Sequence, residues 1–175
     1  MGFNNINVDL IYALPKESMF TLKQDIHKIL KLNPEHISTY SLILEKNTVL
    51  YNKGYKNIKE EKDAKMYNHI VKTLKKHGYN HYEVSNFAKE GLESKHNTTY
   101  WLNQEYYGFG CGASGYIGNI RYENTRSITS YLKGEFCLNK NLLSKQEEMD
   151  NEIMLGLRLL KGINLDTFDK KYHVS

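Results

Sequence analysis

The chain reads as an α/β protein that passes into a β-rich segment and then into a helical region. Three observations carry this. Apolar runs of strand length alternate with helix-period stretches between Ile6 and Asn86. A segment rich in glycine and aromatic residues, with no helical period, spans Tyr106 to Tyr122, and helical spacing returns after Ser144. Strand, helix, strand, helix, strand in that order argues for βαβ units, a parallel sheet and right-handed crossovers.

Ile6 to Ala13, INVDLIYA, is a continuous apolar run with one acid inside it, the pattern of a strand buried on both faces. From Ser18 to Leu32 the period becomes helical, with Leu22, Ile26, Ile29 and Leu30 on one stripe, Thr21 and Gln24 as a capping box and Pro34 as the stop. A second strand is expected over His36 to Leu44. After a polar connection, a second amphipathic helix runs from Glu60 to His77 with Ala64, Tyr67, Val71 and Leu74 inward and Gly78 at its end. A third strand is expected over His81 to Asn86. The glycines between Tyr106 and Tyr122 suggest short strands and tight turns. Ser144 and Glu147 form a capping box for a last helical stretch that carries Met149, Ile153, Met154, Leu157 and Leu160.

A chain of 175 residues, 40% hydrophobic and 25% charged, can bury one sizeable core. Three strands are too few for a closed barrel, which takes roughly 250 residues. The sheet is therefore open, or the chain is a piece of something larger. The net charge of +4 is spread along the length without a basic stripe, which argues against nucleic acid. No apolar run reaches membrane-spanning length and the first residues do not resemble a signal peptide, so the expected compartment is the cytoplasm. Cys111 and Cys137 have neither a zinc spacing nor a disulfide framework around them.

Asp9 is an acid in the middle of an apolar strand, so it must be satisfied by partners or face a polar cavity, and the residues leave both roles open. Tyr40 and Ser41 close the second strand, and the ends of parallel strands are where such sheets bind ligands. Glu83, Ser85 and Asn86 in YEVSNFA are candidate ligands or hydrogen-bonded loop supports. His96, Asn97, Tyr100 and Trp101 bring a coordinating, a polar and two stacking side chains into HNTTYW, and on a helix His96 and Tyr100 share a face. They either brace a helix around a core tryptophan or form a ligand surface. The run GFGCGASG lacks the strand, helix and downstream acid of a dinucleotide fingerprint. Cys111 within it has no charged partner to activate it and reads as a small packing residue.

NVDLIYALP, EHISTYSL, YEVSNFA, HNTTYW and GFGCGASG, in that order, resemble the radical S-adenosylmethionine proteins related to oxygen-independent coproporphyrinogen III oxidase, and most of all their haem-chaperone branch. HNxxYW and EVSNFA are the forms that point to that branch. The resemblance implies the later half of a partial (β/α)6 TIM-like barrel with a β-rich extension over residues 1–140, and the start of a small helical domain over 141–175. It implies that Asp9 binds the ribose of S-adenosylmethionine, that Ile11 lies against the adenine, and that Tyr40 and Ser41 run along the adenosine. It also implies that His96, Asn97, Tyr100 and Trp101 face haem. The family's CxxxCxxC motif, which holds a 4Fe-4S cluster, is expected upstream of Asn7, so the chain is expected to be a fragment inactive by itself. The implied function is delivery of haem to respiratory proteins. Alternatives are oxidative decarboxylation of coproporphyrinogen III, or a non-catalytic truncated remnant. One departure is Ala13, where the family has glycine. An exposed barrel edge would favour self-association.

Overall fold

The computed structural model describes residues 2–174, which form two compact units that meet in sequence at Ser94 and Lys95. The first unit contains β1 (Asn7–Tyr12), α1 (Met19–Leu32), β2 (His36–Ser41), α2 (Val49–Asn52), α3 (Glu60–Lys76), β3 (Asn80–Glu83) and β4 (Asn86–Ala88). β1 and β2 pair in parallel, from Asn7 opposite His36 to Tyr12 opposite Ser41, with α1 as the crossover. The sheet order is β1-β2-β4-β3, which leaves β1 at an edge.

The expected third parallel strand is instead an antiparallel hairpin, and β4 pairs antiparallel to β2. The chain reverses at Val84 and Ser85 because the buried Glu83 carboxylate accepts from the Ser85 backbone N–H at 2.9 Å and from the Asn86 side-chain amide. A turn made by a buried acid is invisible to strand propensity. β1 also departs from expectation, since only Leu10 and Tyr12 are fully buried, Val8 is half-buried, and Asn7, Asp9 and Ile11 are exposed. α1 and α3 cover one face of the sheet. There Leu10 and Tyr12 meet Leu22, Ile26 and Ile29 of α1 and Met66, Ile70 and Leu74 of α3, together with Ile37, Tyr79 and Phe87.

Local chemistry sets the ends of these helices. Ser18 caps α1 and forms the reciprocal box with Thr21, one turn earlier than the expected Thr21–Gln24 pair. Asn33, left-handed at φ 50°, ends the helix before Pro34. On α3 the buried stripe is Met66, Ile70 and Leu74; Tyr67 and Val71 flank it and Ala64 is exposed. Tyr67 stays at the margin because its hydroxyl donates to the Val84 carbonyl at 2.8 Å. Ala13 adopts φ 63°, the conformation glycine takes at least cost, which fits the glycine that the resemblance implies here.

The second unit contains α4 (Lys95–Trp101), β5 (Ser114–Ile117), β6 (Ile120–Asn124), α5 (Ile128–Leu132), β7 (Cys137–Leu142), α6 (Lys145–Gly156) and α7 (Leu165–Tyr172). β5, β6 and β7 form an antiparallel sheet in sequence order, so the expected short strands are present. The expected boundary at residue 140 falls within β7. Ser144 and Glu147 form the expected capping box of α6, and of the apolar residues in the expected helical stretch Ile153, Met154, Leu157 and Leu160 are exposed. The buried apolar residues of this unit are Tyr116, Leu143, Leu159, Phe168 and Tyr172. Both cysteines are exposed free thiols, so Cys111 is not the packing residue it was expected to be. No helix among the described residues is long and apolar enough to cross a membrane.

Leu74 is 1% exposed and joins α3 to both strands of the parallel pair through the common core. Leu74→Ala should lower unfolding stability by about 2–5 kcal/mol in urea denaturation, the usual cost of a large-to-small change in a packed core. A loss below about 1 kcal/mol would mean that α3 is not packed as described.

Candidate functional site

The parallel register sorts the side chains of β1 and β2 into two sets. Asn7, Asp9 and Ile11 share a face with His36, Ser38 and Tyr40, while Ser41 lies with Tyr12 on the helix side. Three of the expected adenosine residues, Asp9, Ile11 and Tyr40, are thus brought together. Ser41 is not among them, because its hydroxyl donates to Asp63 of α3 at 2.6 Å. Ile11 and Tyr40 sit opposite each other, about half exposed, and make an apolar shelf roughly 7 Å along the strand from Asp9.

Asp9 is held by a polar chain that sequence reading missed. Asn7 Nδ2 donates to Asp9 Oδ1 at 2.7 Å. Asn7 Oδ1 is 2.6 Å from His36 Nδ1 and accepts from Ser38 Oγ at 3.1 Å. His36 Nε2 is 2.9 Å from the Tyr82 hydroxyl, which accepts from the Ser94 backbone N–H at 3.3 Å. With Nδ1 protonated, every contact in the chain has a donor and an acceptor. Burial holds the His36 imidazole below its ordinary pKa, against the opposing pull of Asp9 and Glu93. The available signal was the two-residue spacing of Asn7 and Asp9, which places both on one face of a strand.

α4 carries the second set. His96 is exposed and meets Tyr100 edge-on at 4.8 Å, as the four-residue spacing requires. Tyr100 in turn meets Tyr106 at 4.5 Å. Asn97 lies one position beyond His96 on the same helix. Trp101 points away from the His96–Tyr100 face, since each helical step turns about 100°. Its ring lies under the Arg158 guanidinium at 4.2 Å and walls a cavity of about 620 Å³ whose other walls include Leu102, Leu159, Ile163, Lys161 and Lys171.

The glycine run serves structure. The Gly108 N–H donates to the Tyr122 hydroxyl at 2.9 Å, the Gly110 N–H to the Tyr131 hydroxyl at 3.0 Å, and Asn124 Nδ2 donates to both their carbonyls. A Cβ on Gly115 would run into the Tyr122 ring. With those N–H groups engaged by tyrosines, the loop is not a phosphate cradle. Among the described residues, no three histidine, cysteine or acidic side chains gather as a metal site.

No family model matches the chain. Curated proteins do. It is 48% identical to "Heme chaperone HemW" of Lactococcus lactis over 99% of its own length and 48% of that protein. Against the protein of the same name from Bacillus subtilis, identity is 41% over 98% of the chain and 48% of the relative. The chain is a homologue of the HemW heme chaperones. The Escherichia coli HemW is 30% identical over 93% of the chain and 44% of its own length, so the chain spans about half the length of the HemW proteins it matches. Among solved structures, coproporphyrinogen III oxidase (HemN) from Escherichia coli, described as a radical SAM enzyme, superposes with a TM-score of 0.80 at 15% identity. That match covers 99% of the chain and 44% of HemN, and shows that this HemW homologue has the fold of the corresponding part of a radical SAM protein.

A histidine whose folded pKa is depressed adds stability that is complete above the ordinary value of about 6.5. That contribution is lost as pH falls from there through the lower folded value, because the unfolded chain then binds the proton more readily. The urea midpoint should therefore fall on acidification through this window, and His36→Gln should flatten the slope. His69 and His81, also depressed by burial, would supply what remains. A slope unchanged in the variant would remove His36 from the balance.

Proposed function

We propose that the chain is part of a radical S-adenosylmethionine haem chaperone that binds haem and passes it to respiratory proteins in the cytoplasm. The observation that carries the reading is His96, exposed on α4 with Tyr100 edge-on beside it, in a chain 48% identical to a HemW protein. A neutral imidazole is a haem-iron ligand, and tyrosine and tryptophan rings suit a porphyrin face. Asn97 completes the set on this face in this reading, whereas Trp101, expected with them, is turned from it toward the neighbouring cavity.

The polar face of β1 and β2 fits S-adenosylmethionine. Asp9 has one oxygen fixed by Asn7 and the other available to ribose hydroxyls, and Ile11 with Tyr40 offers the apolar shelf an adenine needs. Ser41 would contribute through its backbone, since its side chain is committed to Asp63. The 4Fe-4S cluster, with its cysteines, would belong to the part of the relatives that this chain does not span. When bound, cluster and S-adenosylmethionine together supply radical chemistry, and the residues here place the nucleoside. Residues 1–140 would form the barrel portion with its β-rich extension, and 141–175 the beginning of the helical domain. β1, at the edge of its sheet, would be free to pair with another strand, including that of a second copy.

Oxidative decarboxylation of coproporphyrinogen III is favoured by the likeness to HemN alone, and at 15% identity that likeness speaks for fold. Titration with haem should give a Soret band, and His96→Ala should weaken binding at least about tenfold, as loss of an axial ligand would. Unchanged affinity in the variant would remove His96 as the ligand, and turnover of coproporphyrinogen III under anaerobic conditions would favour the oxidase. Separately, Asp9→Asn should weaken S-adenosylmethionine binding by about one charge-assisted hydrogen bond, or roughly tenfold, in isothermal calorimetry. Equal affinity in the two proteins would take the ribose away from Asp9.

A further inference from the structure

The second unit holds a smaller cavity of about 210 Å³, walled by Tyr100, Trp101, Asn103, Tyr106, Arg121 and Leu155 among others. Three of these residues carry buried N–H donors that have no acceptor among the described residues: Trp101 Nε1, Asn103 Nδ2 and Arg121 Nε. Leaving such a donor unpaired forfeits its hydration without return, so native structures seldom gather several at one place. No acidic side chain lines this cavity. Glu123, two residues from Arg121, is taken by Arg126 at 2.7 and 2.9 Å.

The donors are also held in place. Asn103 is 5% exposed and left-handed at φ 49°, and its backbone N–H donates to the Tyr100 carbonyl at 2.9 Å to close the turn after α4. Its side-chain oxygen accepts from Arg121 Nη2 at 3.1 Å, which fixes the amide with Nδ2 as the unused donor. The Arg121 guanidinium lies over the Tyr116 ring at 4.9 Å, and Arg158 covers the Trp101 ring at 4.2 Å. A neutral acceptor would satisfy one or two of these groups. A carboxylate offers two oxygens with several lone pairs and matches the unpaired charge of Arg121.

We infer that this cavity is a carboxylate-binding subsite in which Trp101, Asn103 and Arg121 donate to the two carboxylate oxygens. The inference stands apart from the haem reading, because a small free acid and the acid arm of a larger ligand such as a tetrapyrrole present the same carboxylate chemistry. Trp101 is the chain's single tryptophan, so its indole N–H gives one cross-peak in a nitrogen–proton correlation spectrum.

Titration with sodium propionate should move that peak downfield to saturation, whereas the neutral isostere propionamide should leave it in place. Arg121→Gln should weaken the propionate response at least about tenfold, the cost of losing one charge-assisted hydrogen bond. A peak that propionate does not move, or that both compounds move equally, overturns the subsite; so does full affinity in a folded Arg121→Gln protein. The two wild-type titrations decide the matter even where the variant fails to fold. Displacement of propionate by zinc protoporphyrin IX and not by its dimethyl ester assigns the carboxylate to a tetrapyrrole. Propionate that neither porphyrin displaces assigns it to a free small acid, and either result keeps the subsite.

Discussion

The parallel register of β1 against β2 is the constraint on which the first unit depends. Opposite residues face the same way in such a pair, so Asn7 aligns with His36, Asp9 with Ser38 and Ile11 with Tyr40. A slip of one residue would send Asp9 into the core and Leu10 to the surface, at the cost of a buried charge and an exposed leucine. Burial of Leu10, Tyr12 and Ile37 beneath α1 and α3 therefore creates the polar face as its complement. Asn7 is the hub of that face: its oxygen receives His36 and Ser38, and its nitrogen gives to Asp9. The Asp9 carboxylate is aimed by groups that are themselves fixed by the sheet.

In the second unit the organising element is the contact between the glycine loop and the antiparallel sheet. Tyrosine hydroxyls from β6 and α5 accept the Gly108 and Gly110 N–H groups, and Asn124 at the end of β6 reaches back to both carbonyls. The loop's backbone is satisfied by side chains, which lets it run without secondary structure of its own. Gly115 is required by the close approach of Tyr122, and Gly118 by the hairpin turn at φ 59°. The ladder from His96 through Tyr100 to Tyr106 then ends on a residue bonded to Tyr116 of β5, which ties α4 to the sheet.

Much of this was legible in the residues where periodicity was strong. α1, α3, β1, β2 and the capping box of α6 follow from apolar spacing and cap chemistry, and the pairing of His96 with Tyr100 follows from four-residue spacing. The reversal at Val84–Ser85 was not, because it depends on a buried Glu83 that strand propensity cannot distinguish from an outward-facing acid. The solvent exposure of one β1 face was hidden in the same way: apolar residues such as Ile11 fill both sets of positions, and only the placement of helices tells which set is buried. Ser41 looked equivalent to Tyr40 at a strand end, yet the two point to opposite faces. Asn7 and His36 were passed over since neither stands out until the register sets them side by side.

The likeness to HemN and the likeness to the HemW proteins carry different weight. At 15% identity the first describes a scaffold, and scaffolds of this kind host unrelated chemistries. The second rests on sequence, at 48% identity over 99% of the chain and 48% of the relative. In the proposed reading the side chains divide the labour: the β1–β2 face offers a fixed carboxylate beside an apolar shelf, while α4 offers an exposed imidazole beside aromatic rings. A carrier has to bind its cargo and release it, which asks for an accessible ligand rather than an enclosed one. In the proposed reading His96, exposed and in ring contact with Tyr100, is that ligand.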